Sequence, residues 1–290
     1  MAETTTTTLT ELIQPIIGEA RMWMTDRSLF YPRQGIAQQF LQMKDIRGQA
    51  GKAATFPKLG SIAFGDASEG VDYTTTSALD TSAVTVTATP RQCVVELTDE
   101  AQYSTEADLI AMAGEALGRA AAKKFDDDVC SVFSSLGTTP TGGNASNSSM
   151  TAAEFQAYIT QARVANAPGP YAAVFHPWGW YEFLGESSSP LLNAAASDAV
   201  AKGVWGDYYA ASPFGVTCLT YTGVAKANAN VDYMGAFLSP WAIGVTWKKD
   251  LSVEVQRNAT KRCSELVATM HYGVGVVDST MGFQMLQDAD

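Results

Sequence analysis

Between Thr81 and Thr89 apolar and polar positions alternate: Val84, Val86 and Ala88 interleave with Thr85, Thr87 and Thr89. A period of two marks a strand with one covered face. The segments Ala53–Gly60 and Cys93–Leu97 also read as extended, and a bend rich in Gly, Ser, Asp and Thr joins the first two arms. A two-stranded ribbon alone is marginal in water. Residues 53–97 therefore predict a ribbon with almost no core of its own, which needs a surface to lie on. A neighbouring subunit is one source of that surface.

The period then changes. Leu109, Ala113, Leu117, Ala121, Phe125, Val129, Val132 and Leu136 recur every three or four positions, forming one apolar stripe. They predict a helix of about 30 residues, on the order of 45 Å long. It opens at Thr98-Asp99-Glu100 or, after a break, at Ser104-Thr105-Glu106. Glu115 and Arg119 form a favourable pair four apart. Gly114 and Gly118 each cost about 1 kcal/mol relative to alanine inside a helix. Their presence predicts the close approach of another backbone. Asp126, Asp127 and Asp128, beside Lys123 and Lys124, read as a solvated charge cluster, because adjacent helical residues point in different directions.

Upstream, residues 1–8 predict a disordered end. Thr10 is placed to cap a short helix over residues 11–24, with Leu12, Ile13, Ile16, Ile17, Ala20 and Trp23 on one side. A second short helix or turn is expected over Ile36 to Met43. Downstream, residues 137–149 are a loop by composition. Thr151 and Glu154 match a capping box, followed by Phe155, Tyr158, Ile159 and Ala162 on a buried face. Strands are expected at Tyr171–Phe175, Val216–Thr220 and Ala236–Leu238, with a turn and helix from His176 to Leu184. Near the end Leu251, Val253 and Val255 alternate with polar residues; a break at Arg257–Arg262 and a β-rich run from Glu265 to Val277 follow. The simplest fold pairs residues 93–97 with 250–277 in one antiparallel sheet beside the long helix, with a mixed α/β unit inserted.

Composition narrows the function. The 290 residues carry a net charge of −11, which opposes tight binding to nucleic acid. Charged residues make up only 17%, consistent with much surface hidden against partners. Four cysteines without C-x-x-C spacing and two histidines argue against zinc and for reduced, mostly buried thiols in a cytosolic protein. No signal peptide, membrane-spanning run, metal site or cofactor is predicted. His176 reads as a packed imidazole at a turn and His271 as a structural strand residue. No G-x-S-x-G element or P-loop occurs, and Gly273-Val-Gly275 lacks the third glycine of a dinucleotide fingerprint. Trp178, Trp180, Tyr181 and Phe183 read as core or subunit contact rather than a sugar platform. The chain is not expected to be an enzyme; a mixed α/β enzyme with the ribbon as a mobile lid is the rival reading.

The order of parts is arm, ribbon, long helix, inserted α/β unit and terminal sheet. It resembles the α+β, HK97-like fold of tailed-bacteriophage major capsid proteins. Arg91-Gln-Cys-Val-Val-Glu-Leu-Thr-Asp-Glu100 resembles the strand that leaves the family's extended loop and enters its spine helix. Glu115-Ala-Leu-Gly-Arg-Ala-Ala-Ala-Lys-Lys-Phe-Asp126 resembles the spine helix, and Asp250-Leu-Ser-Val-Glu-Val255 with Leu266–Val277 the last strands of the peripheral domain.

The resemblance implies an N-terminal arm at 1–45, an extended loop at 46–92, and an axial domain at 150–244. It implies a peripheral domain at 93–149 and 245–290. It implies pentamers and hexamers closing into an icosahedral shell around double-stranded DNA, held without sequence-specific binding. The protein would be made in the bacterial host cytoplasm and reside in the virion capsid. Expected partners are further copies, a portal, a separate scaffolding protein and cement or decoration proteins, with no membrane. A tail-tube or other phage structural protein is the alternative. No Lys/Asn pair matches the covalent crosslinks of some relatives. Inter-subunit contacts are expected at Trp23, Phe30 and Tyr31 in the arm and at Phe56, Leu59, Ile62, Phe64 and Tyr73 in the ribbon. Lys44, Arg47, Lys52 and Lys58 near the loop base are expected to pair with acids of a neighbour.

Overall fold

The computed structural model describes residues 17–24, 27–28, 40–60, 64, 66, 69–70, 72, 81–104, 109–185, 209–211 and 213–288. One long helix packs against two sheets, and a ribbon lies on the first of them. The first sheet has four strands in the order β1-β10-β11-β4. These are β1 (Gln42–Asp45), β10 (Ile243–Asn258), β11 (Cys263–Val276) and β4 (Thr89–Thr98). The alternation that predicted strands near the end of the chain survives as a long hairpin: β10 and β11 pair antiparallel from Ile243↔Val276 to Asn258↔Cys263. β4 adds antiparallel to β11, as expected of residues 93–97.

The second sheet has six strands: β12-β9-β5-β7-β6, with β8 pairing on β9. Its strands are β5 (Ala172–Phe175), β6 (Tyr209–Ala211), β7 (Thr217–Thr220), β8 (Lys226–Ala227), β9 (Asp232–Leu238) and β12 (Gly282–Asp288). Both faces of this sheet are covered, so its strands read as continuous apolar runs. Along β5, Val174 joins the core shared with the first sheet, while Ala173 and Phe175 join the other core. β7 and β9 divide the same way: Leu219, Ala236 and Leu238 face one core, Cys218 and Phe237 the other. The outer core is closed by α4 (Ala152–Val164) and α5 (Pro177–Gly185). The capping box of α4 is formed: Thr151 Oγ1 accepts from the Glu154 amide, and Glu154 Oε2 accepts from the Thr151 amide at 2.7 Å.

The long helix is shorter than its apolar stripe implies. Thr98 Oγ1 accepts from the Ala101 amide and starts a separate turn, α2 (Asp99–Ser104). The continuous helix is α3 (Leu109–Ser131), 23 residues, extended by a 3-10 turn over Val132–Ser135. Leu117, Ala121, Phe125 and Val129 are buried against the first sheet. Phe125 lies 5.2 Å from both the Trp247 and Tyr272 rings, edge-on to the latter. The lower end of the stripe, Phe133 and Leu136, belongs to the same core as Val174, Ala236 and Leu238. One helix thus bridges both sheets.

Three expectations are corrected here. Gln42 and Met43 lie in a strand, not a helix or turn; β1 pairs parallel with β10 from Gln42↔Gly244 to Asp45↔Trp247. Residues 282–288, expected with the rest of 245–290, do not join the first sheet: β12 pairs antiparallel with β9 in the second. The reason is apolar complementarity, since Phe283 and Met285 are core residues of the second sheet. The acidic trio 126–128 is not a solvated cluster, as described below. The expected helix over 11–24 is present in its described part, α1 (residues 17–24), with Ala20 and Met24 buried.

Candidate functional site

The ribbon is formed by β2 (Ala53–Leu59) and β3 (Thr81–Thr87), paired antiparallel from Ala53↔Thr87 to Leu59↔Thr81. Its alternation is real. Ala54, Phe56, Val86 and Ala88 are buried, whereas Thr55, Pro57, Thr85 and Thr87 are exposed. The covered face, however, lies partly on the chain's own body. Ala54, Phe56 and Val86 form a small core with Ile46 and Val277. The expectation of a ribbon base without a core is corrected by this cluster.

Glycines make the seat. A Cβ on Gly273 would lie 2.3 Å from the Thr87 carbonyl oxygen. One on Gly244 would lie 3.0 Å from the Phe56 ring, and one on Gly275 3.1 Å from Val86. Three side-chain-free positions on β10 and β11 thus let the ribbon lie directly on the sheet. The Gly273-Val-Gly275 pair, too short for a nucleotide fingerprint, has this use.

Polar contacts pin the same base. Lys58 Nζ pairs with Asp278 Oδ2 at 2.7 Å, and the Asp278 carboxylate also accepts from the Thr280 amide and hydroxyl. Burial pushes the Asp278 carboxyl up, but the bonds from Lys58 and Thr280 outweigh it and hold it below the usual range. Lys44 Nζ donates to the Thr55 carbonyl at 2.8 Å and sits 6.0 Å from the Phe56 ring. Arg47 pairs with Asp45 and Asp250. Lys44, Arg47 and Lys58 are therefore engaged within their own chain, and Phe56 is 5% exposed there. Lys52 is exposed, and its carbonyl accepts from the Ala88 amide.

Phe64 is fully exposed, and Asp66, Glu69 and Asp72 are exposed as well. Ile62, Tyr73, Phe30 and Tyr31 lie outside the described residues. Trp23, on α1, is half-buried, with the Arg27 and Arg119 guanidinium carbons 5.3 and 5.0 Å from its ring centroid. The glycine expectation holds at Gly118: a Cβ there would lie 2.5 Å from the Ala20 carbonyl oxygen and 2.7 Å from the Trp23 Cβ. The arm therefore crosses the long helix with its backbone in contact.

At the C-terminal part of α3 the three consecutive acids each hold a different part of the molecule. Asp126 accepts from the Ser28 hydroxyl at 2.6 Å, in the arm. Asp127 accepts from the Tyr221 hydroxyl at 2.7 Å, after β7 in the inserted unit. Asp128 accepts from Arg91 at 2.9 Å, Tyr272 at 2.8 Å and Lys124 at 2.8 Å. Burial raises the Asp128 carboxyl, but these three donors more than offset it and hold it low. The divergence of adjacent helical side chains, which argues against a cation site, is what lets one turn tie three elements. Local sequence gave no sign of it, because Ser28, Arg91, Tyr221 and Tyr272 are all remote in the chain.

The residues weighed for chemistry have structural partners. His176 is buried, stacks on Tyr233 with centroids 3.5 Å apart, and accepts from the Trp178 amide through Nδ1. Burial, reinforced by nearby Lys226, pushes its pKa down. Trp180 and Phe183 are core; Trp178 and Tyr181 are exposed. Cys130, Cys218 and Cys263 are buried free thiols and Cys93 is exposed. Among the described residues no helix is long and apolar enough to cross a membrane.

This architecture recurs in solved phage particles. A chain of the cyanophage Pam1 capsid asymmetric unit superposes with a TM-score of 0.68 at 15% identity, covering 92% of this chain and 94% of that one. A chain of the cyanophage P-SCSP1u capsid gives 0.66 at 16% identity, covering 88% of each. The capsid of the native GTA particle gives 0.65 at 13% identity, covering 89% and 94%. The chain has the HK97-like fold. No protein-family model matches it, and no curated protein matches it in sequence.

Proposed function

We propose that this chain is the major capsid protein of a tailed phage. In this reading it self-assembles into pentamers and hexamers of an icosahedral head that encloses double-stranded DNA. The observation that carries it is the similarity to capsid chains over about nine-tenths of both molecules. The ribbon supports it. Its base is fastened by the Phe56 cluster and the Lys58–Asp278 pair, while its outer part presents Phe64 to solvent. A fully exposed phenylalanine in the segment beyond a strand pair is surface that a neighbour can cover. Obligate assemblies bury on the order of 2,000–5,000 Å2 or more per interface.

The functional residues follow from that geometry. Trp23, Phe30 and Tyr31 of the arm and Leu59, Ile62, Phe64 and Tyr73 of the ribbon are proposed as inter-subunit contacts, with Lys52 at the loop base. Phe56, Lys44, Arg47 and Lys58 act one step back, by fixing where the ribbon points. The domains proposed are an arm over 1–45, a loop over 46–92, a peripheral domain around 93–149 and 245–281, and an axial domain over 150–244 joined by 282–288. A portal, a separate scaffolding protein and cement proteins complete the particle. The acidic balance keeps the wall from gripping packaged DNA, which suits filling and ejection.

Expression of the chain and negative-stain microscopy test the reading. Closed shells are expected; hexameric rings or tubes would favour a tail-tube subunit, and a monomer would refute assembly. Deleting residues 58–80 is expected to leave capsomers or aggregates. Normal shells from that deletion would refute the role of the ribbon.

A further inference from the structure

A groove of about 530 Å3 opens between Arg27, three residues beyond α1, the α3 helix and the residues following β7. Arg27, Arg119 and Lys123 line it, with Asp126, Tyr221 and Thr222. The acids around these cations are committed elsewhere, Asp127 to the Tyr221 hydroxyl. Asp126 is buried and accepts from Ser28, and Glu115 pairs with Arg119 along the helix. Among the described residues, neither Arg27 nor Lys123 has a carboxylate partner, and both are exposed. The guanidinium groups of Arg27 and Arg119 both lie over the Trp23 ring. Stacking on an aromatic face orders an arginine before it meets an anion, so less entropy is lost on binding. In a chain of net charge −11, this is a local positive site with its charges already placed.

The chain also carries the matching anion. From Leu59 to Pro90 there is no Lys or Arg, while Asp66, Glu69, Asp72 and Asp80 all fall in that stretch. Asp66, Glu69 and Asp72 are exposed, and beside them Phe64 touches nothing of its own chain. The ribbon base is fixed at the Val277 end of the first sheet, and these exposed acids follow in the chain after the last pair of the ribbon, Leu59↔Thr81.

We propose that the acidic turn of one copy's ribbon docks in the Arg27–Arg119–Lys123 groove of a second copy. The inference rests on the shell reading and adds the place where the ribbon lands. A phosphate backbone is the competing occupant, and the net charge of the chain disfavours it. Docking in trans joins ribbon and arm in one contact, because Arg27 and Trp23 belong to the arm. A neighbour's ribbon would hold down both the arm and the long helix.

The test uses the full chain assembled from a mixture of isotopically light and heavy copies, treated with a carbodiimide that joins lysine to carboxylate at zero length. Mass spectrometry is expected to find Lys123 joined to Asp66, Glu69 or Asp72 in mixed light–heavy pairs. A second arm uses charge reversal. Lys123→Glu, or Asp66→Lys with Glu69→Lys, is expected to lower shell yield at least about tenfold at low salt, and combining both sides to restore it. Crosslinks confined to single copies, or shells without this crosslink, overturn the proposal. So do reversal variants that assemble like the parent, or a Lys123→Glu shell that assembles normally and loses only its DNA. A parent chain that forms no oligomer instead refutes the shell reading itself, and this docking with it.

Discussion

The Tyr272 hydroxyl donates to Asp128 at 2.8 Å across 144 positions of sequence. Arg91 reaches the same carboxylate oxygen at 2.9 Å, and its guanidinium lies 5.8 Å from the Tyr272 ring centroid. β4, β11 and α3 therefore meet at one carboxylate, one and two residues along from the acids bonded to Tyr221 and Ser28. Removing the charge leaves Arg91 and Tyr272 short of an acceptor in a partly buried site. Asp128→Asn is expected to cost about 2–3 kcal/mol, below the cost of breaking a fully buried pair. Urea unfolding of the unassembled chain checks it; an unchanged midpoint would show that the carboxylate is structurally idle.

Gly118 offers a prediction whose sign is contested. Helix propensity alone favours Gly118→Ala by about 1 kcal/mol. The contact with Ala20 opposes it, since the new methyl would lie 2.5 Å from a carbonyl oxygen that is part of a backbone. The arm is expected to lift off while α3 itself persists. Trypsin should then cut after Arg21 and Arg27 faster in the variant, with far-UV helicity retained. Equal cleavage rates would mean that the arm adjusts without leaving.

Phe56→Ala should loosen the ribbon without unfolding the sheets, because its cluster is small and separate from the two main cores. Truncating a buried phenylalanine costs about 3 kcal/mol or more. Amide exchange in β2 and β3 is expected to quicken roughly a hundredfold, which is the same energy expressed as an opening equilibrium. Exchange in β10 and β11 beyond the seat should change little. Uniform acceleration across both sheets would place Phe56 in the global core instead.

Acid should act on the same base. Asp278 and Asp128 are both held below the ordinary carboxylate range in the folded chain. They bind fewer protons folded than unfolded, so their stabilisation is full above an unfolded value of about 4 and is lost as pH falls through the lower folded values. The ribbon is expected to become protease-sensitive below about pH 4, and Asp278→Asn to show that sensitivity at neutral pH. A variant indistinguishable from the parent at pH 7 would remove Asp278 from the account.

The capping box gives a calibration. Thr151→Ala removes the acceptor of the Glu154 amide and is expected to cost about 1 kcal/mol of stability. A shift of that size in the urea midpoint would show that the inserted unit unfolds cooperatively with the whole.

Much of the fold was legible where a period persisted. The alternation at Val84, Val86 and Ala88, the stripe from Leu109 to Leu136 and the box at Thr151 and Glu154 each report a face that is covered. Pairings without a period were not legible. β1 has four residues and joins β10 in parallel from two hundred positions away, too short a run to show alternation. The destination of β12 was hidden because Phe283 and Met285 would suit either core. The acid trio reads as surface in any local window, since its donors come from four separate segments. At the candidate site, the ribbon was visible and its seat was not. A glycine in a strand signals close approach without saying what approaches.

Because β12 lies beside β9, the second sheet stays open along one side until residues 282–288 have been synthesised. Until then Phe237 lacks the Phe283 and Met285 side chains that share its core. A nascent chain emerging from the ribosome can shape its long helix and its hairpin, yet not close the unit inserted between them. Completion of synthesis and closure of this sheet are thereby coupled, and a product truncated before residue 282 keeps an unfinished edge along β9.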